Sequence, residues 1–220
     1  MDDKYVPAVK SGRFLWLYDP LSRWTLREQT FKDRLIKEAH LEEAHPGCHR
    51  VLDLGCGTGT LALMVRSVCP GAEIVGLDGD MRILSIARAK ALKSGVKILL
   101  YQGLAQALPH REGSFDYVFS TLVFHHLTRG QKIAALQEVI RVLRPGGELH
   151  VADWGKPQNL LMRTAFRLVE WSDGKERTSD NRAGLLPQFM VSAGFASVRE
   201  TQQFTTFFGT LCLYHAQKPT

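Results

Sequence analysis

The chain has 220 residues, 45% hydrophobic and 23% charged, a globular balance that excludes a disordered or collagen-like polypeptide. Its net charge of +6 is spread along the sequence without a block of like charge, which reads as a solvated basic surface and offers no basic arm for nucleic acid. Four cysteines without C-x-x-C spacing argue against a zinc or thioredoxin-like motif, so no metal is expected, and they point to a reducing compartment.

The opening Met1-Asp2-Asp3-Lys4 is acidic and has no apolar h-region, and no apolar run reaches the ~20 residues of a membrane span, so a cytoplasmic chain is expected. Residues up to Tyr18 mix aromatic and basic side chains, and Asp19-Pro20 marks a break. Ser22 to His45 is predicted as a helix with Trp24, Phe31, Leu35 and Ala39 on one side, stopped by Pro46-Gly47. From Val51 onward strand and helix alternate. Strands are predicted at 51–54, 73–77, 96–101, 115–119 and 148–152. Helices are predicted at 61–68, 81–93 and 131–143, and Pro145-Gly146-Gly147 reads as a sharp turn. Nearly all-apolar strands alternating with helices predict an α/β, doubly wound sheet covered on both faces. Beyond Asp153 the spacing predicts a helix over 160–171, a polar loop over 172–182 and a short helix over 185–192. An antiparallel hairpin follows, turning at Thr205-Thr206.

The most informative segment runs from Val51 to Gly59. A buried strand enters a loop with three glycines and then a helix, so the backbone can approach a ligand closely and present free N–H groups to it. The loop reads G-x-G-x-G, and position 60 is Thr where the dinucleotide fingerprint wants a third Gly or Ala. No Gly-Lys-Ser/Thr follows, which excludes a Walker loop. Asp53, just before the glycines, suits an amine-bearing ligand better than a pyrophosphate. Asp78 ends the second strand, where an acid in doubly wound folds accepts from ribose hydroxyls. Asp80 lies closer to Met81 and is the better cap for the helix there.

Four segments then carry a resemblance: VLDLGCGTG (51–59), EIVGLDGD (73–80), GLAQALP…SFDYVFSTLVFHHL (103–127) and RVLRPGGELHVAD (141–153). In this order and spacing the chain resembles the class I S-adenosylmethionine (SAM)-dependent methyltransferases, in the branch of the ubiquinone/menaquinone C-methyltransferases with a methyltransferase type 11 domain. The resemblance implies a Rossmann-like seven-stranded sheet with the last strand antiparallel and a helical N-terminal extension, all in one domain. Within that domain it implies an N-terminal lid over 1–48, a SAM-binding core over 49–154, an insert over 155–183 and a C-terminal helix and hairpin over 184–220. It implies SAM as cofactor, with S-adenosylhomocysteine as product. Asp53, Gly55, Cys56 and Gly57 would hold the amino-acid end, and Asp78 the ribose. Gly79 and Met81 would lie against the adenine, although Met81 reads equally as helix core. Gly103, Leu104 and Ala105 would meet the adenine edge; Leu104 stands where the family often carries an Asp, so that contact would fall to backbone N–H groups. Ser120 and Thr121 would end the fourth strand beside the SAM amino group.

Methyl transfer needs a base only where the acceptor must lose a proton. The groups in position to serve are His125, Asp153, Tyr18 and Asp19, with local packing the preferred role for the histidine pair. The N-terminal segment and the insert are aromatic and apolar, which suggests a lid over an apolar or aromatic small molecule or a lipid. Arg163, Arg167, Lys175 and Arg177 among them would also suit contact with a membrane surface. A SAM-binding protein without turnover and an NAD-binding oxidoreductase are the alternatives, and Thr60 speaks against the second. The oligomeric state has no signature in the sequence.

Overall fold

The structure is a computed structural model that describes residues 28–41 and 49–220. The elements are helix α1 (Glu28–Glu38), strand β1 (Arg50–Leu54), α2 (Thr60–Val68), β2 (Glu73–Asp78), α3 (Met81–Lys93), β3 (Leu99–Gln102), β4 (Phe115–Thr121), a 3-10 turn (Phe124–His126), α4 (Arg129–Val142), β5 (Leu143–Trp154), α5 (Leu160–Asp173), α6 (Lys175–Arg182), α7 (Leu186–Ser192), β6 (Ala196–Thr206) and β7 (Gly209–Gln217). The strands form one sheet in the order β3-β2-β1-β4-β5-β7-β6. All neighbours from β3 to β5 are parallel, and β7 alone runs against both β5 and β6. The order reverses between β1 and β4, and the crevice outside the carboxyl ends of those strands is where such sheets bind ligands.

The strands bury both faces because helices lie on both. One face holds Leu52, Leu54, Val118 and Leu149 against Leu136 and Val139 of α4 and Met190 of α7. The other holds Val51, Phe119 and Leu213 against Phe31 and Leu35 of α1, Leu61 and Val65 of α2, and Phe166 of α5. Among the described residues no helix is long and apolar enough to cross a membrane.

Several expected boundaries move. Helix α1 ends at Glu38, followed by a turn through Leu41, and does not run on to His45 within the described residues; the rest of the expected 22–45 helix lies outside them. Strand β3 begins at Leu99, not Val96. Pro145-Gly146-Gly147 does not precede a strand. It is a bulge inside β5, since Phe115 pairs with Leu143 and Tyr117 already pairs with Glu148. The hairpin turns at Phe207-Phe208, with the Thr206 hydroxyl donating to the Gly209 carbonyl (2.9 Å) and accepting from the Phe208 N–H (3.2 Å). The polar stretch expected to be a loop is helix α6 after a break at Gly174 (φ 90°). Its inward face is polar, with Thr178, Asp180 and Asn181 buried, so a search for apolar periodicity passes over it.

Candidate functional site

Strand β1 stops because Gly55 (φ 70°) turns the chain, and the Gly55 and Cys56 N–H groups both donate to the Leu77 carbonyl at the end of β2 (2.7 and 3.0 Å). A Cβ at Gly55 would stand 2.2 Å from a methyl of Val123, so only glycine fits where the loops after β1 and β4 meet. Gly57 (φ 52°) differs: a Cβ there would meet nothing within 4 Å, because the residue faces open space. Gly59 (φ 76°) leads into α2, whose first turn has no side-chain cap. Thr58 and Thr60 accept from the Lys90 ammonium (2.9 and 3.0 Å), which ties the loop to α3.

Asp78 ends β2 with its carboxylate held from two sides, accepting from the Gly57 N–H (2.9 Å) and the Asp80 N–H (3.0 Å). Asp80 is the cap of α3, accepting from the Arg82 N–H at 2.9 Å.

Asp53 lies on the other face of β1, only 2% exposed, and neither carboxylate oxygen has a hydrogen-bond partner among the described residues. Burial pushes its carboxyl up to about 7, Lys32 pulls it down and Asp78 pushes it further up. Cys56 is buried beside Gly76, and burial raises its thiol well above the usual range.

The second wall follows β4 and β5. Leu122, after β4, takes a left-handed conformation (φ 58°) that a bulky side chain rarely adopts, and its N–H donates to the Ala152 carbonyl (2.8 Å). Asp153, fully buried near the end of β5, accepts from the N–H groups of Val123 (3.1 Å), Phe124 (2.7 Å) and Trp154 (2.7 Å) and from Asn181 Nδ2 (3.3 Å). It also pairs with His125 Nδ1 at 2.8 Å. With the carboxylate accepting there, the neutral ring carries its proton on Nδ1, and Nε2 is the basic nitrogen. Helix α6 docks on this wall through Lys132, which is fully buried and donates to the carbonyls of Leu127 (2.9 Å) and Arg177 (2.5 Å) near Asp180. Arg129 closes the network on Asp180. Burial lowers the Lys132 pKa against the pull of Asp180 and Asp153.

The two walls enclose a cleft with about 890 Å3 of space outside protein atoms, its open mouth included, a size suited to a small-molecule site. Of the residues singled out from the sequence, Gly55, Gly57, Asp78, Gly79, Gly103, Leu104, Ala105 and Thr121 line it. Asp53, Cys56 and Ser120 lie buried behind the lining, and Met81 is 51% exposed outside it. His125 and Asp153 are buried behind the second wall, where Asp153 is occupied in holding the turn. Tyr18 and Asp19 lie outside the described residues.

Sequence reasoning missed Ile83, Val123, Gln131 and Arg177 in the lining, and gave His126 no firm place there. Burial, with His125 and Arg177 beside it, holds the His126 ring well below the usual imidazole range, so it is neutral near pH 7. The dipeptide His125-His126 was the visible signal for that residue. Arg177 had no such signal, because nothing local announces that α6 folds back onto the cleft.

A family model described as a methyltransferase domain matches residues 51–147. A demethylmenaquinone methyltransferase of Thermus thermophilus is 44% identical over 124 residues, 54% of this chain and 56% of that protein. The chain thus spans little more than half the length of that relative. An uncharacterized methyltransferase of Synechocystis sp. is 31% identical over 196 residues, covering 86% of this chain and 87% of that protein. Among solved structures, a SAM dependent methyltransferase from Aquifex aeolicus matches with a TM-score of 0.66 at 20% identity, over 98% of this chain and 100% of that one, a likeness of fold. The glycine loop, the strand-end acid and the turn after β4 lie within the matched stretch, and the chain belongs to the class I SAM-dependent methyltransferases, in the branch of the ubiquinone/menaquinone C-methyltransferases.

Proposed function

We propose that the protein transfers a methyl group from SAM to a small apolar or aromatic acceptor, with a quinone-like ring as the leading class. The observation that carries this is the pairing of Gly57, open to the cleft, with Asp78, whose carboxylate is already oriented by two backbone N–H groups. The residues fit the cofactor's parts. Asp78 offers acceptors for a diol. Asp53 is a buried acid whose oxygens lack hydrogen-bond partners among the described residues, the property expected beneath an ammonium group. Ile83 and Leu104 give an aromatic ring system apolar contact. SAM, when bound, supplies a methyl group already activated by its sulfonium.

The protein's own share is then placement and exclusion of water. The glycines bring the backbone close, Val123 and Leu127 dry the cleft, and Asp153 fixes the turn that carries His126 into the lining. The quinone-like class follows the name of the Thermus relative and the apolar lining. We take residues 1–220 as one methyltransferase unit acting in the cytoplasm, as the cysteine usage suggests. The exposed Leu160, Leu161, Leu168 and Trp171 of α5, with Arg163 and Arg167 among them, suit contact with a membrane that holds a lipid acceptor.

Two measurements test the proposal. Calorimetry with SAM should show one site per chain. A mass-spectrometric screen of demethylated quinols, phenols, phospholipids and amines should then show a one-methyl gain with release of S-adenosylhomocysteine. SAM binding without any methylated product would leave a binding protein, and NAD binding in place of SAM would end the reading.

A further inference from the structure

We propose that His125, His126 and Asp173 form a divalent transition-metal site at the cleft, open toward the acceptor. The two histidines sit on the 3-10 turn after β4, and Asp173 is the last residue of α5, so chain segments 47 residues apart converge there. His125 Nε2 stands 3.7 Å from Asp173 Oδ2, and His126 Nδ1 stands 3.7 Å from Asp173 Oδ1. Both separations are too long for hydrogen bonds. They are the right length for an ion between the groups, because two ligands 3.7 Å apart subtend about 120° at a centre about 2.1 Å from each. The three ligand atoms all lie within 4.8 Å of one another.

Three further observations favour an ion over an ordinary ion pair. His126 Nδ1 is buried and has no hydrogen-bond partner among the described residues. His125 Nδ1 is held by Asp153 at 2.8 Å, the carboxylate–histidine arrangement that orients a metal-binding ring and leaves Nε2 free to coordinate. Asp173 places a carboxylate at the C-terminal end of a helix whose last turn has no basic residue, where the helix dipole disfavours negative charge and a cation offsets it.

A second group of His and Glu side chains shows what the absence of such a gap looks like. At the opposite end of β5, Glu148 accepts from His150 Nε2 (2.9 Å) and His215 Nε2 (3.3 Å). Those distances are hydrogen-bond lengths, and the space between the groups is already used.

Two imidazoles and one carboxylate suit iron, zinc, cobalt or manganese and leave coordination positions open. His126 is part of the cleft lining, so an open position faces the acceptor. This role rests on the methyltransferase reading: an acceptor with a phenolic or enolic hydroxyl would bind there through oxygen. Its oxygen replaces a coordinated water, the hydroxyl proton leaves to solvent, and the ionised acceptor is held for transfer.

Cobalt(II) is the probe. Tag-free protein stripped by a chelator is titrated with cobalt(II), and the visible d–d absorption of low-coordinate cobalt is read. One equivalent should bind, and zinc should displace it. The band should vanish in His126→Ala and in Asp173→Asn and persist in Glu148→Gln. Asp153→Asn should weaken cobalt about 10- to 100-fold. No band, a band that survives His126→Ala combined with Asp173→Asn, or a band lost in Glu148→Gln would overturn the site. Asp173→Asn should keep its SAM affinity, which shows that the variant is folded. Cobalt binding in a protein that does not bind SAM would support the metal site and remove only the role given to it.

Discussion

The two walls of the cleft are built by opposite means. The wall after β1, β2 and β3 is backbone. Glycines at 55 and 57 and a carboxylate set by two N–H groups do the shaping, and the contacts lie within one strand–loop–helix unit and its neighbour. The wall after β4 and β5 is a buried side-chain network. Asp153, Asn181, Lys132 and Asp180 come from three elements and hold a turn whose own sequence is mostly apolar. A backbone wall tolerates little change in shape, whereas a network wall tolerates little change in charge.

Substitutions at each wall sharpen that contrast. The largest effect is expected at Lys132→Ala. It strips the Leu127 and Arg177 carbonyls of their donor and leaves Asp180 to Arg129, so stability should fall by about 3–5 kcal/mol. Denaturant unfolding in which the free energy falls by less than about 1 kcal/mol would show that the network does not hold α6.

Gly55→Ala attacks shape. The left-handed backbone and the 2.2 Å approach to Val123 together should cost about 2–4 kcal/mol in stability and weaken SAM as the loops separate. A variant with wild-type melting and SAM affinity would mean that the loops are looser than the structure shows.

Asp78→Ala attacks a ligand contact. SAM affinity should fall by about 1.5–3 kcal/mol while the fold persists, and calorimetry that finds no change would remove Asp78 from the site.

The smallest and most pH-dependent effect is expected at Asp53→Asn. The folded protein holds the Asp53 proton up to about pH 7, whereas an unfolded carboxyl loses it near its ordinary value of 3.8. The folded state therefore binds more protons between these values, and the wild type loses stability as pH rises through that window. The asparagine variant does not titrate there. It should gain on the wild type from about pH 4 to pH 7, reaching about 1–2 kcal/mol net above pH 7 once the buried amide is counted. An ammonium bound beneath the loop would favour the charged carboxylate, so SAM binding near neutral pH should release a proton from the wild type and none from the variant. Calorimetry in buffers of different ionisation enthalpy reads that difference directly.

The contrast also explains what the sequence could say. The first wall was legible because its signals are local. Three glycines, the acid at 53 and the strand-end acid at 78 fall within 26 residues, and the sheet that carries them alternates strand and helix. The alternation also gave the doubly wound sheet, and the seven-strand count with its single reversed strand came from the resemblance carried by the four motifs. The second wall was legible only in part. Leu122 bears no mark of its left-handed backbone, and α6 looks like a loop because its buried face is Thr178, Asp180 and Asn181. The use of those residues depends on Lys132 and Asp153, each some 30 to 50 residues distant, and a single sequence does not show such pairings.

Cys56 adds a property of another kind. It sits between two glycines of the loop, only 6% exposed, with its thiol raised well above the usual range by burial and by Asp53 and Asp78. Only the thiolate reacts readily with an alkylating reagent. Modification at this position therefore waits for the loop to lift and admit water, while the half-buried Cys69 offers a reference on the same chain. The small filler beneath the glycines thus works as a clock for loop opening, read by the rate at which one sulfur is labelled.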